Sequence, residues 1–282
     1  MADDLSVRNS EYWSELCGSR AAQKLGITAA DPAGVDIFDR WFFDFYPYLA
    51  DSRFIPWESL VGQSVLEIGL GYGSVTRRLS RYTDRVVALD IAPGPVNFAA
   101  ATTERTTCIR GSALALPFAD ATLDNVVAIG SLHHTGNMEL AFRECMRVLR
   151  PGGRLIAMAY NRHSYKRWIV SPIATLRSVI AELRGETNQG ASGVSRRVSW
   201  FWDRSPDGSA PPHTEFATEG QIQRLLGEST KVRVTSINVD NPNDLLPFRM
   251  QRVAIDKVRL MFLESFVSSK FGLDLYVVAV KS

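Results

Sequence analysis

The stretch from Ser64 to Asp90 constrains the fold more than any other part of the chain. Its kernel, residues 65–73, reads VLEIGLGYG, an apolar run that breaks into alternating glycines. Apolar residues then recur at helical spacing from Ser74 onward. The pattern predicts a strand, a tight turn and a helix. Alternating glycines accept positive φ angles and leave no Cβ atoms in the way, so the turn allows a ligand to lie against the backbone.

A second predicted strand, Val86–Leu89, ends at Asp90. An acid at this point is placed to accept both hydroxyls of a ribose, as in the dinucleotide-binding fingerprint. That fingerprint is G-x-G-x-x-G, however, whereas residues 69–73 read GLGYG, and Glu67 would repel a diphosphate. S-adenosylmethionine has a ribose, an ammonium and a sulfonium but no phosphate, so it suits both acids. We therefore expect it as the ligand, with an NAD-linked oxidoreductase as the disfavoured alternative.

Strands and helices alternate along the next hundred residues. The pattern predicts a turn at Pro93–Pro95 followed by a helix to Thr102, and a later helix at Asn137–Leu149 that Pro151–Gly153 ends. The predicted strands are Thr107–Arg110, Leu123–Gly130 and Arg154–Tyr160. Such alternation predicts a doubly wound sheet whose ligands lie beyond the carboxyl ends of its strands. We expect residues 67–73, Asp90, Ser112, residues 130–134 and Tyr160 at that edge.

The C-terminal part of the chain completes the predicted sheet. Thr218 begins a helix to Leu226, with Gln221 placed for a capping box. The pattern then predicts a strand, a helix and a final strand at Val232–Val239, Phe248–Ser268 and Leu273–Val280.

Several of these segments together resemble a known family. They are Val65–Gly73, Val87–Ile91, Gly111–Phe118, Leu123–His134 and Arg147–Gly153, and they resemble the ordered motifs of class I S-adenosylmethionine-dependent methyltransferases, closest to the ubiquinone and menaquinone methylases. The resemblance covers roughly Val61–Asn161. It implies a Rossmann-like α/β fold: a doubly wound, seven-stranded sheet, mostly parallel with an antiparallel C-terminal strand, plus a mainly helical lid insertion.

The resemblance also implies how S-adenosyl-L-methionine is held. The glycine turn would hold its methionine part, Asp90 its ribose and the loop after Gly111 its adenine. At Ser112 the family usually has an acid, so we expect packing to contribute more to adenine binding here. The expected cofactor-binding residues are Glu67, Gly69, Leu70, Gly71, Tyr72, Gly73, Asp90, Ile91, Ser112, Ala113, Leu114, Ile129, Gly130 and Ser131.

Three regions are expected around this site. Residues 1–60, with a short helix at Arg8–Leu16 and an aromatic-rich helix at Ile37–Leu49, are expected to form an N-terminal helical cap over the cofactor. The alternative interpretation of the aromatic stripe is packing in the core or the lid. Residues 61–160 and 215–282 form the cofactor-binding core. Residues 161–214 form a lid that binds substrate, with a helix at Ser171–Leu183 and a polar loop at 185–193. Residues 162–214 hold eight basic and four acidic residues, read either as a substrate-binding face or as a solvated surface.

Methyl transfer to an oxygen nucleophile can use a histidine as base. His134 and His133 follow the fourth predicted strand and are the best-placed candidates, with Tyr160 and His213 next. The alternative interpretation is that the two adjacent histidines only shape the pocket.

Composition narrows the function further. The formal net charge of +2 makes a nucleic-acid partner unlikely as the main role, and no apolar run is long enough to span a membrane. The cysteines are scattered singly, so we expect no metal site, and we expect a cytoplasmic protein. The sequence thus predicts methylation of an O, N or C atom in a small, aromatic or anionic acceptor, of the biosynthetic tailoring type. The alternatives are a peptide or RNA substrate bound through the basic insertion, and a non-catalytic cofactor-binding subunit; the oligomeric state stays open.

Overall fold

The fold is described from a computed structural model that covers residues 2–16, 19–28, 31–184, 202–203, 208–227, 231–238 and 266–282. Within these residues, seven strands form one sheet in the order β3-β2-β1-β4-β5-β7-β6. The strands are β1 (Val65–Ile68), β2 (Val86–Asp90), β3 (Thr106–Arg110), β4 (Leu123–Ile129), β5 (Leu149–Tyr160), β6 (Lys231–Ile237) and β7 (Asp274–Val280).

The predicted Rossmann-like sheet is confirmed. Strands β1 to β5 pair in parallel, and β7 pairs antiparallel with both β5 and β6. The chain runs outward from β1 to β3 on one side of the sheet. On the other side β4 and β5 run outward, β6 forms the edge and β7 returns between β5 and β6, so the strand order reverses between β1 and β4. A crevice opens beyond the carboxyl ends of the strands at such a reversal.

Helices cover both faces of the sheet. They are α1 (Ala2–Ser14), α2 (Arg20–Lys24), α3 (Pro32–Phe45), α4 (Pro47–Ala50), α5 (Ser74–Leu79), α6 (Pro93–Thr102), α7 (Met138–Val148), α8 (Tyr165–Val170), α9 (Pro172–Leu183), α10 (Glu219–Leu226) and α11 (Phe266–Phe271). One core contains Phe142 of α7 and Ile222 of α10, and the opposite core contains Leu49 of α4 and Leu79 of α5. These two apolar layers hold the strand ends that carry the site.

Two local predictions were wrong. Helix α6 already begins at Pro93, in the segment predicted to be a turn, because proline is well suited to the first turn of a helix, where its missing N–H is not needed. Strand β5 begins at Leu149 and includes Pro151–Gly153, where Gly152 donates to the carbonyl oxygen of Lys281 and Lys281 donates to that of Gly153.

Other boundaries differ by a few residues from the predictions. Helix α1 reaches back to Ala2, and the second predicted N-terminal helix is α3 followed by α4. Thr218 and Gln221 form the predicted capping box of α10. The predicted loop at 185–193 and most of the predicted helix at 248–268 lie outside the described residues. Within those residues, no helix combines the length and apolar character needed to cross a membrane.

Ion pairs and hydrogen bonds fasten the N-terminal helices to the carboxyl edge of the sheet. Asp39 of α3 accepts hydrogen bonds from the Ser74 hydroxyl at 2.5 Å and from Nε of Arg77 at 2.8 Å, both in α5. Helix α1 lies so close to α6 that a Cβ atom on Gly94 would come within 2.2 Å of the Ser14 carbonyl oxygen. The N-terminal segment therefore packs directly on the glycine-loop side of the sheet.

Candidate functional site

A cavity of about 270 Å³ lies at the carboxyl edge of the sheet, near the lower end of the roughly 300–1,000 Å³ range of small-molecule sites. Most residues expected to bind the cofactor line it: Glu67, Gly69, Leu70, Gly71, Tyr72, Asp90, Ile91, Ser112, Ala113, Leu114, Ile129, Gly130 and Ser131. His134 lines it too. Gly73, His133, Tyr160 and His213 lie outside the lining. The roles of all these residues, inside and outside the lining, stay predictions.

The glycine loop needs glycine for a specific steric reason. Gly69 has a φ of +84°, and a Cβ atom there would stand 2.3 Å from Cβ of Ser131. The Ser131 hydroxyl in turn donates to the carbonyl oxygen of Ile68 at 2.6 Å. The ends of β1 and β4 therefore touch at Gly69, which brings the loop backbone to the cavity wall.

Asp90 is tied to the glycine loop through its carboxylate. Oδ2 accepts the backbone N–H of Leu70 at 2.8 Å, and Oδ1 accepts that of Ala92 at 2.9 Å. Burial raises the pKa of Asp90, while these backbone donors oppose the shift. Each oxygen can accept a second hydrogen bond, so the carboxylate can also receive a pair of hydroxyls.

Glu67 is a buried acid on the same cavity. Its side chain is 3% exposed, and Oε2 has no hydrogen-bond partner within the part of the chain that is described. Burial raises the pKa of Glu67 to about 8. A buried carboxylate oxygen without a partner is costly, and a cationic ligand group would remove that cost. The cavity therefore fits a ligand with a positive charge near β1.

The expected adenine end of the cavity is mostly apolar. Ile91, Ala113 and Leu114 line it, and the Ser112 hydroxyl already accepts the backbone N–H of Leu114 at 3.2 Å. Ser112 therefore has less hydrogen-bonding capacity for a ligand than the acid usual in the resembled family. We therefore keep the expectation that packing contributes more than hydrogen bonding to adenine binding at this end.

The histidines after β4 differ sharply in their surroundings. His134 is 5% exposed and reaches the cavity, and its Nδ1 lies 2.8 Å from the carbonyl oxygen of His213. His133 is fully buried behind it, and neither of its ring nitrogens has a hydrogen-bond partner among the described residues. Burial and the neighbouring His134 hold the pKa of His133 well below its usual value. Of the two, His134 is placed to meet a ligand.

Tyr160 and His213 support this edge from outside the cavity. The Tyr160 hydroxyl donates to Oδ2 of Asp203 at 2.7 Å, and burial, followed by the Asp203 charge, raises the pKa of Tyr160 well above its usual value. His213 Nε2 lies 3.3 Å from Oε1 of Glu215. Neither ring reaches the cavity.

Sequence reasoning missed several residues at the site, and three of them contact or lie beside His134. Asn9 and Trp13 of α1 line the cavity, and Asp203 of the insertion lies 3.5 Å from His134 Nε2. None belongs to a local motif, since each meets the site through a contact far along the chain. Among the described residues, no group of three or more histidine, cysteine, aspartate or glutamate side chains is arranged to hold a metal ion.

Comparison with known proteins finds a matching family model and curated relatives. A family model described as a methyltransferase domain matches residues 66–157. A Mycolicibacterium smegmatis protein, whose name assigns it to the S-adenosylmethionine-dependent methyltransferases, is 33% identical over 60% of this chain and 66% of its own length. The demethylmenaquinone methyltransferase of Thermobifida fusca is 32% identical over 36% of this chain and 44% of its own length.

Solved structures share the fold. An S-adenosylmethionine-dependent methyltransferase from Mesorhizobium loti matches 79% of this chain and 92% of its own with a TM-score of 0.53 at 16% identity. A Haloferax volcanii protein solved in complex with the methyltransferase activator Trm112 matches 86% of this chain and 92% of its own, with a TM-score of 0.55 at 18% identity.

The chain spans about half the length of the first curated relatives that it matches. The matched residues 66–157 contain the glycine loop, Asp90 and the two histidines after β4. The chain therefore belongs to the class I S-adenosylmethionine-dependent methyltransferases, whose cofactor is S-adenosylmethionine.

Proposed function

We propose that the chain transfers a methyl group from S-adenosylmethionine to an O, N or C atom of a small organic acceptor, in a biosynthetic tailoring reaction. The observation that carries the proposal is the placement of two buried carboxylates, Glu67 and Asp90, on one cavity with the glycine loop between them. Glu67 suits the cationic amino acid tail, and Asp90 suits the ribose hydroxyls. A dinucleotide would instead bring a diphosphate towards Glu67, an acid that offers it no positive charge.

The chain's own contribution is to hold the reactants together and keep water away. When bound, S-adenosylmethionine supplies an electrophilic methyl group on a positively charged sulfur. Trp13 of α1 and Phe42 of α3 give the cavity apolar walls on the N-terminal side. Fixing the nucleophile near the methyl group in such a shielded site accelerates displacement through proximity and exclusion of solvent.

The acceptor carries an anionic group in this proposal, and the support comes from Arg167. Its side chain is 7% exposed, Nε has no hydrogen-bond partner, and no carboxylate pairs with it among the described residues. Burial, and then the charge of Arg162, lowers the pKa of Arg167 to about 10. The guanidinium stacks 4.7 Å from the ring of Phe216, whose centroid is 5.7 Å from that of Tyr160. A carboxylate or phosphate of the acceptor would offset this buried charge.

Calorimetry tests the cofactor assignment. S-adenosylhomocysteine should bind the purified chain and NAD should not. Asp90→Ala should abolish binding, because it removes the acceptor for the ribose hydroxyls and frees the Leu70 amide. Asp84→Ala, which changes an exposed acid before the same strand, is the matched control and should bind as the parent does. Binding of NAD, or equal binding by Asp90→Ala, would contradict the proposal.

A second titration tests the acceptor charge on the protein saturated with S-adenosylhomocysteine. The probes are 4-hydroxybenzoate and inorganic phosphate, and at least one should raise the melting temperature. Arg167→Met should lose that shift, whereas Arg143→Met, which changes an exposed arginine of α7, should keep it. An equal rise in melting temperature in both variants would contradict the proposal that Arg167 binds an anionic group of the acceptor.

A further inference from the structure

Asp203 contacts two of the four candidate catalytic side chains, those of Tyr160 and His134. Its Oδ2 accepts the Tyr160 hydroxyl at 2.7 Å and lies 3.5 Å from Nε2 of His134. Asp203 belongs to the insertion after β5, whereas Tyr160 ends β5 and His134 follows β4. One carboxylate oxygen therefore joins three separate parts of the chain beside the cavity.

The hydrogen bonds of His134 fix its tautomer. Nδ1 lies 2.8 Å from a backbone carbonyl oxygen, that of His213, and a carbonyl oxygen can only accept. Nδ1 therefore carries the proton of the neutral imidazole, and Nε2 carries a lone pair. Because this bare nitrogen faces the Asp203 carboxylate, a proton on Nε2 is favoured by the charge of Asp203.

The other charged groups around His134 do not replace Asp203. Among the described residues, the titratable neighbours are Asp203, Tyr160, His133, His213 and Glu215. Glu215 is already engaged, since Oε1 accepts the backbone N–H of Met138 at 3.1 Å and lies 3.3 Å from His213 Nε2. Burial lowers the pKa of His134, and Asp203 is the strongest opposing influence.

Asn9 supplies an independent indication about the ligand. Its Nδ2 donates to the carbonyl oxygen of His134 at 2.8 Å, which fixes the orientation of the amide. Oδ1 is then an acceptor, and it is buried without a partner among the described residues. Since Asn9 lines the cavity beside His134, a ligand with an O–H or N–H donor would satisfy it.

We propose that Asp203 is the positioning residue of a proton-accepting His134, and that the methyl acceptor reacts through an O–H or N–H group. The inference rests on the proposed function. As the acceptor atom bonds to the methyl carbon, the carbon–sulfur bond breaks and its electron pair stays on sulfur. The O–H or N–H bond breaks at the same centre, and the proton moves to Nε2 of His134. The Asp203 carboxylate then balances the imidazolium.

Histidine NMR of the full chain saturated with S-adenosylhomocysteine tests the inference. The chain has four histidines, so His→Gln variants assign the resonances. The parent should show the Nδ1–H tautomer at His134. Asp203→Asn should lower the pKa of His134 by about one unit or more, because it removes the facing negative charge. Tyr160→Phe should raise that pKa, because the carboxylate loses its competing donor.

Asp120→Asn is the matched control, since Asp120 is an exposed acid paired with Arg147, and it should leave the pKa of His134 unchanged. An Nε2–H tautomer, or an unchanged pKa in both Asp203→Asn and Tyr160→Phe, would overturn the inference. If Asp203→Asn does not fold, Tyr160→Phe decides the outcome by itself. Failure of the parent to bind S-adenosylhomocysteine would instead contradict the proposed function, so the two failures are distinguishable.

Discussion

The side-chain amide of Asn9 donates a hydrogen bond to the backbone carbonyl oxygen of His134 at 2.8 Å, across 125 positions of the sequence. The ring of Trp13, one turn later on the same helix, lies 4.9 Å from the ring of His134. Helix α1 is therefore part of the cavity wall and holds the segment that follows β4.

Replacing Asn9 by leucine should weaken this connection. Asn9→Leu keeps a similar volume but leaves the His134 carbonyl without its donor, so the free energy of unfolding should fall by about 1–3 kcal/mol. Urea unfolding followed by circular dichroism measures the change. Glu11→Ala alters an exposed residue of the same helix and should have little effect. Equal stability of the two variants would mean that the contact contributes nothing.

Gly69→Ala should damage the loop far more than an equivalent change elsewhere. The new Cβ atom would collide with Ser131 at 2.3 Å, whereas Gly62, which also has a positive φ, has open space around it. Both variants carry the backbone strain of about 1–2 kcal/mol, but only Gly69→Ala adds the clash. Gly69→Ala should lose binding of S-adenosylhomocysteine by calorimetry while Gly62→Ala binds normally. Similar affinities in the two variants would contradict the steric account.

Binding should release a proton from Glu67. Because its pKa is raised to about 8 in the free protein, most molecules carry a proton there at pH 7. An ammonium ligand favours the ionised carboxylate, so affinity for S-adenosylhomocysteine should rise up to about tenfold per pH unit between roughly pH 6 and 8. Calorimetry in buffers of different ionisation enthalpy measures the release. The proton release should disappear in Glu67→Gln and persist in Glu104→Gln, which changes an exposed acid and serves as the control. If the parent protein released no proton, the ammonium group would have to bind away from Glu67.

The attachment of α3 to α5 should also affect ligand binding. Asp39 is bonded to Ser74 and Arg77, and its neighbour Phe38 lines the cavity. Asp39→Asn should lower the free energy of unfolding by roughly 2–3 kcal/mol, since Arg77 is nearly buried and loses its counter-charge. Affinity for S-adenosylhomocysteine should fall with it. Asp36→Asn, on the exposed side of the same helix, should change neither the free energy of unfolding nor the affinity. If this control variant lost both as well, the cause would be the charge of the helix in general and not the contact of Asp39.

Local patterns predicted the parts of the site that depend on local chemistry. The alternating glycines and the acid at the end of β2 were recognisable because each has a steric or electrostatic reason within a few residues. The start of β5 was not predicted because Gly152 and Gly153 pair with Lys281, a residue far away in the sequence. The start of helix α6 at Pro93 was predicted as a loop turn because a Pro-Gly pair is typical both of loop turns and of the first turn of a helix.

Contacts between distant segments were beyond the reach of the sequence. Asp203 meets Tyr160 across 43 positions, and nothing around Asp203 distinguishes it from the other charges of the insertion. Asn9 was one polar residue in a predicted helix that carried no motif. Both side chains acquire a role only when the sheet edge brings β4 and β5 together.

A crystal structure of the chain with S-adenosylhomocysteine tests the central claim most directly. The account predicts that the ribose hydroxyls lie within hydrogen-bond distance of the Asp90 carboxylate, with the amino group beside Glu67 and the sulfur directed towards His134. A ligand seated elsewhere, or one whose ribose and amino group leave both acids without contact, would contradict it.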